Sequence, residues 1–117
     1  MCDRENRRIV RFDLEGQFVD TLATGLRRPC SVAFQGDHVA VAELEGRVTI
    51  LDRKGAEVAH LGDNPDAGQR ANFDVPPAKW TEGLFTAPHG VCFDAQGSLY
   101  VQDWNRSGRI SKLRRVD

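Results

Sequence analysis

The sequence predicts an all-β chain built from repeated antiparallel sheets. Short runs of β-forming residues alternate with turn residues, no window has the apolar spacing of a helix, and three segments can be aligned with one another. Glycine-containing turns separate the runs, because glycine adopts positive φ without steric cost. The predicted strands span residues 8–13, 17–23, 31–35, 38–43, 47–52, 57–61, 90–94, 98–103 and 109–114.

The aligned segments share an acidic residue and, a few positions later, an arginine followed by isoleucine or valine. The acidic positions are 3, 43 and 103, so the first interval is about 40 residues, close to the length of a four-stranded propeller blade. The longer second interval contains residues 63–83, which are rich in Pro, Asp and Gly and predict an inserted loop. The acidic position is occupied by Asp3, Glu43 and Asp103, and the basic position by Arg8, Arg47 and Arg109.

The grouping of the strands predicts a partial β-propeller of two to three four-stranded blades. A ring of four to eight blades cannot close with so few, so the exposed faces need further blades of the same protein, the preferred interpretation, or an oligomer. The predicted divisions are residues 1–24 for the two outer strands of one blade, 25–62 for a complete blade, 63–84 for an inserted loop and 85–117 for the inner strands of a third blade.

Charge and composition narrow the classes of function. Lys and Arg total 16 and Asp and Glu total 17, so no net charge attracts the chain to nucleic acid, and the basic end near residues 106–115 is interpreted as solvated strand charge. No apolar run has the ~20 residues of a membrane helix. The compartment stays open: an extracellular or periplasmic location would require a signal peptide in the full-length protein. The three cysteines lack metal-knuckle spacing, and a Cys30–Cys92 disulfide is left open.

Metal-binding chemistry is predicted where the innermost strands begin. In a propeller these strands line the central channel, so the residues after Pro29 and Pro88 lie at its mouth: Cys30 and His89. A neutral imidazole binds Zn²⁺ well and a thiolate can assist, but catalytic zinc needs about three protein ligands. The alternative for His89 is a turn residue that bonds to neighbouring backbone.

Other polar residues at this end have a structural interpretation as well as a ligand interpretation. Asp3, Asn6, Asp103 and Asn105 have cation-binding oxygens, but short polar side chains more often brace tight loops, which is the preferred interpretation. Trp104 either packs on a ligand or covers the neighbouring blade. No nucleophile elbow or phosphate-binding glycine loop occurs, and no catalytic residue is assigned.

Two segments resemble the NHL repeat. They read Asp3-Arg4-Glu5-Asn6-x-Arg8-Ile9-x-x-Phe12-Asp13-x-x-Gly16-x-Phe18 and Phe85-x-x-Pro88-His89-Gly90-Val91-x-Phe93-Asp94-x-x-Gly97-x-Leu99-Tyr100-Val101-x-Asp103. Within NHL propellers the nearest likeness is to the peptidyl-α-hydroxyglycine α-amidating lyase branch. The resemblance implies a six-bladed propeller that holds zinc in its channel through histidines, with a structural calcium nearby, and that splits a C-terminal hydroxyglycine into a peptide amide and glyoxylate.

The resemblance transfers to single positions. His89 matches a zinc-ligand histidine of the lyases, whereas Gly90 replaces the aspartate that the family places near calcium, and Cys30 stands where histidine would be expected. The sequence therefore predicts an NHL propeller segment that serves as a scaffold for binding a ligand or a protein. The alternative is a fragment of a zinc-dependent lyase, and a lactonase-like hydrolase is third. The residues predicted at the channel end are Asp3, Asn6, Arg8, Glu43, Arg47, Asp103, Trp104, Asn105 and Arg109, with His89 and Cys30 as metal ligands.

Overall fold

The computed structural model describes residues 1–116 and is all-β: three antiparallel sheets follow one another along the chain. A single-turn 3-10 helix, Pro77–Lys79, is the only helix in the described part. None of the three sheets closes on itself. The first sheet contains β1 (Cys2–Asp3), β2 (Arg8–Phe12) and β3 (Phe18–Ala23); the second contains β4 (Pro29–Gln35), β5 (His38–Glu43), β6 (Arg47–Asp52) and β7 (Glu57–Leu61); the third contains β8 (Pro88–Phe93), β9 (Leu99–Asp103) and β10 (Arg109–Leu113).

All nine predicted strands overlap an observed strand, and the second sheet has four strands in chain order. The prediction of only two strands in residues 1–24 is wrong, because the short β1 adds a third. Several contacts hold β1 beside β2: Arg8 Nε lies 2.7 Å from the Asp3 carboxylate, the Met1 amine donates to the Val10 carbonyl at 2.7 Å, and the Val10 N–H donates to the Met1 carbonyl at 3.0 Å. The last residue of the predicted division 85–117 lies outside the described residues.

Three hairpins use the same aspartate turn. In each, the aspartate Oδ1 accepts the backbone N–H groups two and four residues later, at 2.8–3.0 Å, and a glycine three residues later has a φ of 83° to 87°. The side chain thus replaces a backbone acceptor, and glycine supplies the left-handed conformation. The local sequence Asp-x-x-Gly therefore fixes where each strand ends. The three aspartates are Asp13, Asp52 and Asp94.

The second sheet is covered on both faces because β5 sends alternate side chains in opposite directions. Val39 and Val41 pack with Ile9 of the first sheet, whereas Ala40 packs with Leu99 and Val101 of the third. Val39, Ala40 and Val41 are completely buried. Two separate apolar cores therefore join the three sheets in the order of the chain.

The third sheet lies on the second as the second lies on the first. Aligned on the repeated acidic residue, Leu99 and Val101 of β9 correspond to Val39 and Val41 of β5, and each pair faces the preceding sheet. The opposite face of the third sheet is open. Ile110 there is 74% exposed, and a shallow hollow of about 310 Å³ follows this face.

The segment between β7 and β8 is a folded loop. Asn64 is buried and donates through Nδ2 to the Phe85 carbonyl at 2.9 Å, and Arg70 Nε donates to the Asn64 carbonyl at 2.7 Å. Trp80 Nε1 donates to the Val75 carbonyl at 3.0 Å. These bonds fix the path of the loop, and the loop in turn brings Phe73 close to β9.

Candidate functional site

An acid–arginine corner recurs once in each sheet. The acidic residue is the last residue of one strand, the arginine is the first residue of the next, and the two are direct partners across the hairpin. The shortest contacts of the arginine Nε with the carboxylate are 2.7, 3.0 and 2.9 Å in the first, second and third sheets. The corners are Asp3–Arg8, Glu43–Arg47 and Asp103–Arg109.

In two of these corners the carboxylate is buried and hydrogen-bonded to other groups of the protein. Asp103 is not exposed, and its Oδ1 accepts the backbone N–H groups of Thr86 and Ala87 at 3.0 and 2.9 Å. Glu43 is also unexposed and accepts the Arg27 backbone N–H and the Thr49 hydroxyl. Each carboxylate thus ties its hairpin to the segment that leads into the sheet.

The first corner is more exposed. Asn6 Nδ2 donates to both oxygens of Asp3, at 3.0 and 3.1 Å. The hydrogen bond from Arg8, aided by that from Asn6, holds the pKa of Asp3 below its ordinary value. Asn105 differs: its side-chain amide is buried, and neither amide atom has a hydrogen-bond partner among residues 1–116. Asp3, Asn6 and Arg8 thus form one hydrogen-bonded group at the first corner, and Asn105 is not part of a comparable group.

A hydroxyl, an imidazole and a carboxylate are aligned on the second sheet. Thr49 Oγ1 lies 3.0 Å from His60 Nδ1, and His60 Nε2 lies 3.4 Å from the Glu57 carboxylate. Hydrolases use similar triads, but the nucleophile must be reachable, and Thr49 is completely buried. The arrangement therefore links exposed His60 to the buried Glu43 corner and offers no accessible nucleophile.

A small open hollow lies between the starts of the inner strands, and we call it the cysteine hollow. Its volume is about 230 Å³. Cys30 and His89 hold the same position in their sheets, directly after the first proline of β4 and of β8. The fold therefore brings together the two residues predicted as metal ligands. The lining residues are Cys2, Arg4, Pro29, Cys30 and His89.

An exposed aromatic group adjoins the cysteine hollow. The Trp104 ring lies 5.0 Å from the His89 ring and 4.7 Å from the Phe73 ring, measured between centroids. Trp104 is 49% exposed and Phe73 is 38% exposed. Because His89 belongs to both groups, the aromatic surface and the hollow form one continuous region, with Trp104 as its largest exposed ring.

The two thiols of the hollow are shifted in the same direction. Burial is the main cause that raises the pKa of Cys2, and the neighbouring Cys30 adds to the rise while the N-terminal amine opposes it. Burial also raises the pKa of Cys30, against the attraction of the nearby Arg4 guanidinium. Both residues are therefore protonated thiols at neutral pH to a greater degree than an ordinary cysteine.

The donors are not arranged as a metal site. In the part of the chain that the structure describes, no three His, Cys, Asp or Glu side chains group closely enough to hold a metal ion. A catalytic zinc needs about three protein ligands. The hollow as it stands thus lacks the ligand set for zinc, and Gly90 offers no carboxylate for the implied calcium.

The predicted channel-end residues separate into two groups. Trp104, His89 and Cys30 reach the surface region, together with Cys2, Arg4 and Phe73, which sequence reasoning missed. Cys2 had a usable signal, because it directly precedes Asp3, a residue that the repeat assigns to this end of the sheets. Phe73 had none, because only the folding of the loop brings it to Trp104. The buried or internally paired residues are Asp3, Asn6, Arg8, Glu43, Arg47, Asp103, Asn105 and Arg109.

Comparison with protein-family models gives no match to this chain, and comparison with curated proteins gives no significant match. Among residues 1–116 no helix is long and apolar enough to cross a membrane.

Proposed function

We propose that this chain is a run of NHL-type repeats from a six-bladed β-propeller and that it serves as a scaffold for binding a ligand or another protein. Two features support the repeat assignment. The third sheet covers the second in the way that the second covers the first, and each sheet carries the same acid–arginine corner. A stack that repeats in this way exposes a face at each end, which further blades would cover.

The exposed ring of Trp104 is the observation that supports a binding function. The carboxylates of Glu43 and Asp103 are buried and hydrogen-bonded within the protein. In contrast, the Trp104 ring is half exposed between Phe73 and His89, at the side of an open hollow. Rigid aromatic rings give a large contact area for little loss of conformational entropy, and tryptophan is enriched where binding energy is concentrated. The region therefore suits recognition better than catalysis.

Ligand binding can be tested by screening a peptide and small-molecule library against the purified chain, with tryptophan fluorescence as the first readout. We expect Trp104→Ala to weaken every specific hit at least ~10-fold, in line with loss of a binding hot spot. Phe18→Ala is the control, because Phe18 is 60% exposed but lies on the first sheet. Calorimetry replaces fluorescence for the Trp104 variant. Hits whose affinity is insensitive to both Trp104→Ala and His89→Ala would refute the assignment of this region.

A zinc-dependent lyase resembling the amidating lyases is the second proposal, and it is supported by the presence of Cys2, Cys30 and His89 around one hollow. Those side chains would have to move closer together, and further ligands would have to come from outside residues 1–116. The test is zinc content after dialysis, followed by glyoxylate release from a peptide that ends in α-hydroxyglycine. Zinc retained by the native chain and lost in His89→Ala, with glyoxylate formed, supports the lyase; no retained zinc removes it.

A further inference from the structure

The cysteine hollow contains two thiols from different sheets. Cys2 lies on β1 of the first sheet, Cys30 lies on β4 of the second, and these strands contact each other. Both thiols are free and only partly buried, and both line the same hollow of about 230 Å³. The two cysteines thus share one solvent-accessible space although 27 residues separate them in the sequence.

Cys92 lies elsewhere. It is exposed on the open face of the third sheet, where its direct neighbour across the strand pair is Tyr100, and it lines the separate hollow beside Ile110. The arrangement therefore favours Cys2, and not Cys92, as the partner of Cys30.

We propose that Cys2 and Cys30 form a reversible intramolecular disulfide when the chain meets a low-molecular-weight disulfide such as oxidised glutathione. The proposal depends on neither a closed ring nor a bound ligand. It assigns to the hollow a redox modification that links the first sheet to the second.

The chemistry begins at Cys30. Burial raises the pKa of Cys30, and the positive charges of the nearby Arg4 and Arg28 oppose this rise without reversing it, so a minor fraction of Cys30 is the thiolate at neutral pH. The Cys30 thiolate attacks one sulfur of the small disulfide, its S–S bond breaks, and one small thiolate leaves. The Cys2 thiol then loses its proton and attacks the Cys30 sulfur, which releases the second small thiolate.

Bonds, electrons and protons balance when the small disulfide is the oxidant. One protein S–S bond forms and one oxidant S–S bond breaks. The two cysteines lose two electrons, which reduce the oxidant to two thiols, and the two cysteine protons go to those thiols. An excess of reduced small thiol reverses the reaction, so the redox poise of the surroundings sets the state of the pair.

A Cys2–Cys30 disulfide would change both the first sheet and the cysteine hollow. A bond between positions 2 and 30 closes a loop that contains all of the first sheet, and it restricts the unfolded chain. It also removes both thiols that line the hollow, so His89 would remain there without a thiol partner.

The experiment incubates the whole chain with oxidised glutathione at low protein concentration and quenches it with an alkylating reagent. Intact mass and tryptic mapping then identify the bonds. We expect a linked pair of peptides that contain Cys2 and Cys30, Cys92 either free or carrying a single glutathione, and migration as a monomer on a non-reducing gel. The oxidised chain should unfold about 10 °C above the reduced chain.

The control variant Cys92→Ser should keep the Cys2–Cys30 link and its thermal shift, whereas Cys30→Ser should lose both. Stable glutathione adducts on Cys2 and Cys30 without a linked peptide would overturn the proposal. A link that contains Cys92 would also overturn it. Mapping of the unmodified sequence decides the question even if a variant fails to fold.

Discussion

Arg109 and Asp103 close the third sheet at a buried corner. Arg109 Nε lies 2.9 Å from Asp103 Oδ2, and the other oxygen of Asp103 accepts the Ala87 backbone N–H at 2.9 Å. The first sheet has the same pair in a more exposed setting, with Arg8 Nε 2.7 Å from Asp3. The two ion pairs consist of the same groups and differ in burial. Variants at the two sites therefore measure how burial changes the contribution of the pair to the free energy of unfolding.

Replacement of the buried carboxylate should be far more damaging than replacement of the exposed one. Asp103→Asn leaves the Arg109 guanidinium buried without its counter-charge, and loss of one partner of a buried pair costs about 3 kcal/mol or more. Asp3→Asn should cost less, because the Asp3–Arg8 pair is partly exposed and solvent weakens the attraction between the charges. Urea denaturation of the two variants measures the difference. Equal losses of unfolding free energy would show that burial of the corner does not matter.

Gly55 is expected to resist substitution. A Cβ at this position would lie 1.9 Å from the Leu22 carbonyl oxygen, so the turn after β6 would have to move away from the first sheet. Gly16 is the control, because it has nearly the same φ, 83° against 87°, and its Cβ would meet nothing within 4 Å. Gly16→Ala carries only the conformational strain of about 1 kcal/mol, and Gly55→Ala should exceed it at least twofold. Equal melting temperatures of the two variants would contradict the close approach.

The ion pair between Arg7 and Glu45 should make the stability depend on pH. The two terminal guanidinium nitrogens of Arg7, Nη1 and Nη2, donate to the Glu45 carboxylate at 2.9 Å, and these bonds lower the pKa of Glu45. A folded-state pKa below the unfolded value gives stability that is present above the unfolded pKa of about 4.3 and is lost as the pH falls through the folded pKa.

Glu45→Gln should therefore lower the melting temperature at neutral pH and become equal to the parent chain in strongly acidic solution. Glu15→Gln is the control, because Glu15 forms no ion pair within residues 1–116. A difference between Glu45→Gln and the parent chain that stays constant down to about pH 2 would show that the charge of Glu45 is not the cause.

The three thiols should react with a maleimide at different rates. Cys92 is exposed, whereas Cys2 and Cys30 are partly buried, and burial raises the pKa of both and so depletes the reactive thiolate. We expect Cys92 to be modified first near neutral pH, and the rates to converge in denaturant. Mass mapping after short labelling times measures the order. Faster labelling of Cys30 than of Cys92 in the folded chain would contradict this ranking.

Much of the fold was predictable because its signals are local. The Asp-x-x-Gly turns and the alternation of apolar residues mark the strand ends, and the nine predicted strands follow from them. The repeat of Asp3, Glu43 and Asp103 was visible for the same reason, since each lies a few residues from its arginine partner. The two-residue strand β1 escaped because its length gives no periodic pattern, and only its contacts with β2 define it.

The candidate site was predictable only in part, because its contacts join residues far apart in the sequence. Cys30 and His89 could be assigned to one end of the sheets from their prolines. The contact of Phe73 with Trp104 depends on the folded loop between β7 and β8, and the bond between Thr49 and His60 depends on the register of β6 with β7. Neither relationship leaves a mark in the local sequence.

The second sheet is covered by the first sheet on one face and by the third sheet on the other. Methyl NOE spectroscopy tests it most directly, on the neighbouring residues Ala40 and Val41 of β5. The stacked sheets should give NOEs from Val41 to Ile9 and from Ala40 to Val101, with none between Ile9 and Val101. NOEs from both Ala40 and Val41 to the same sheet, or direct contact between Ile9 and Val101, would contradict the stacked arrangement.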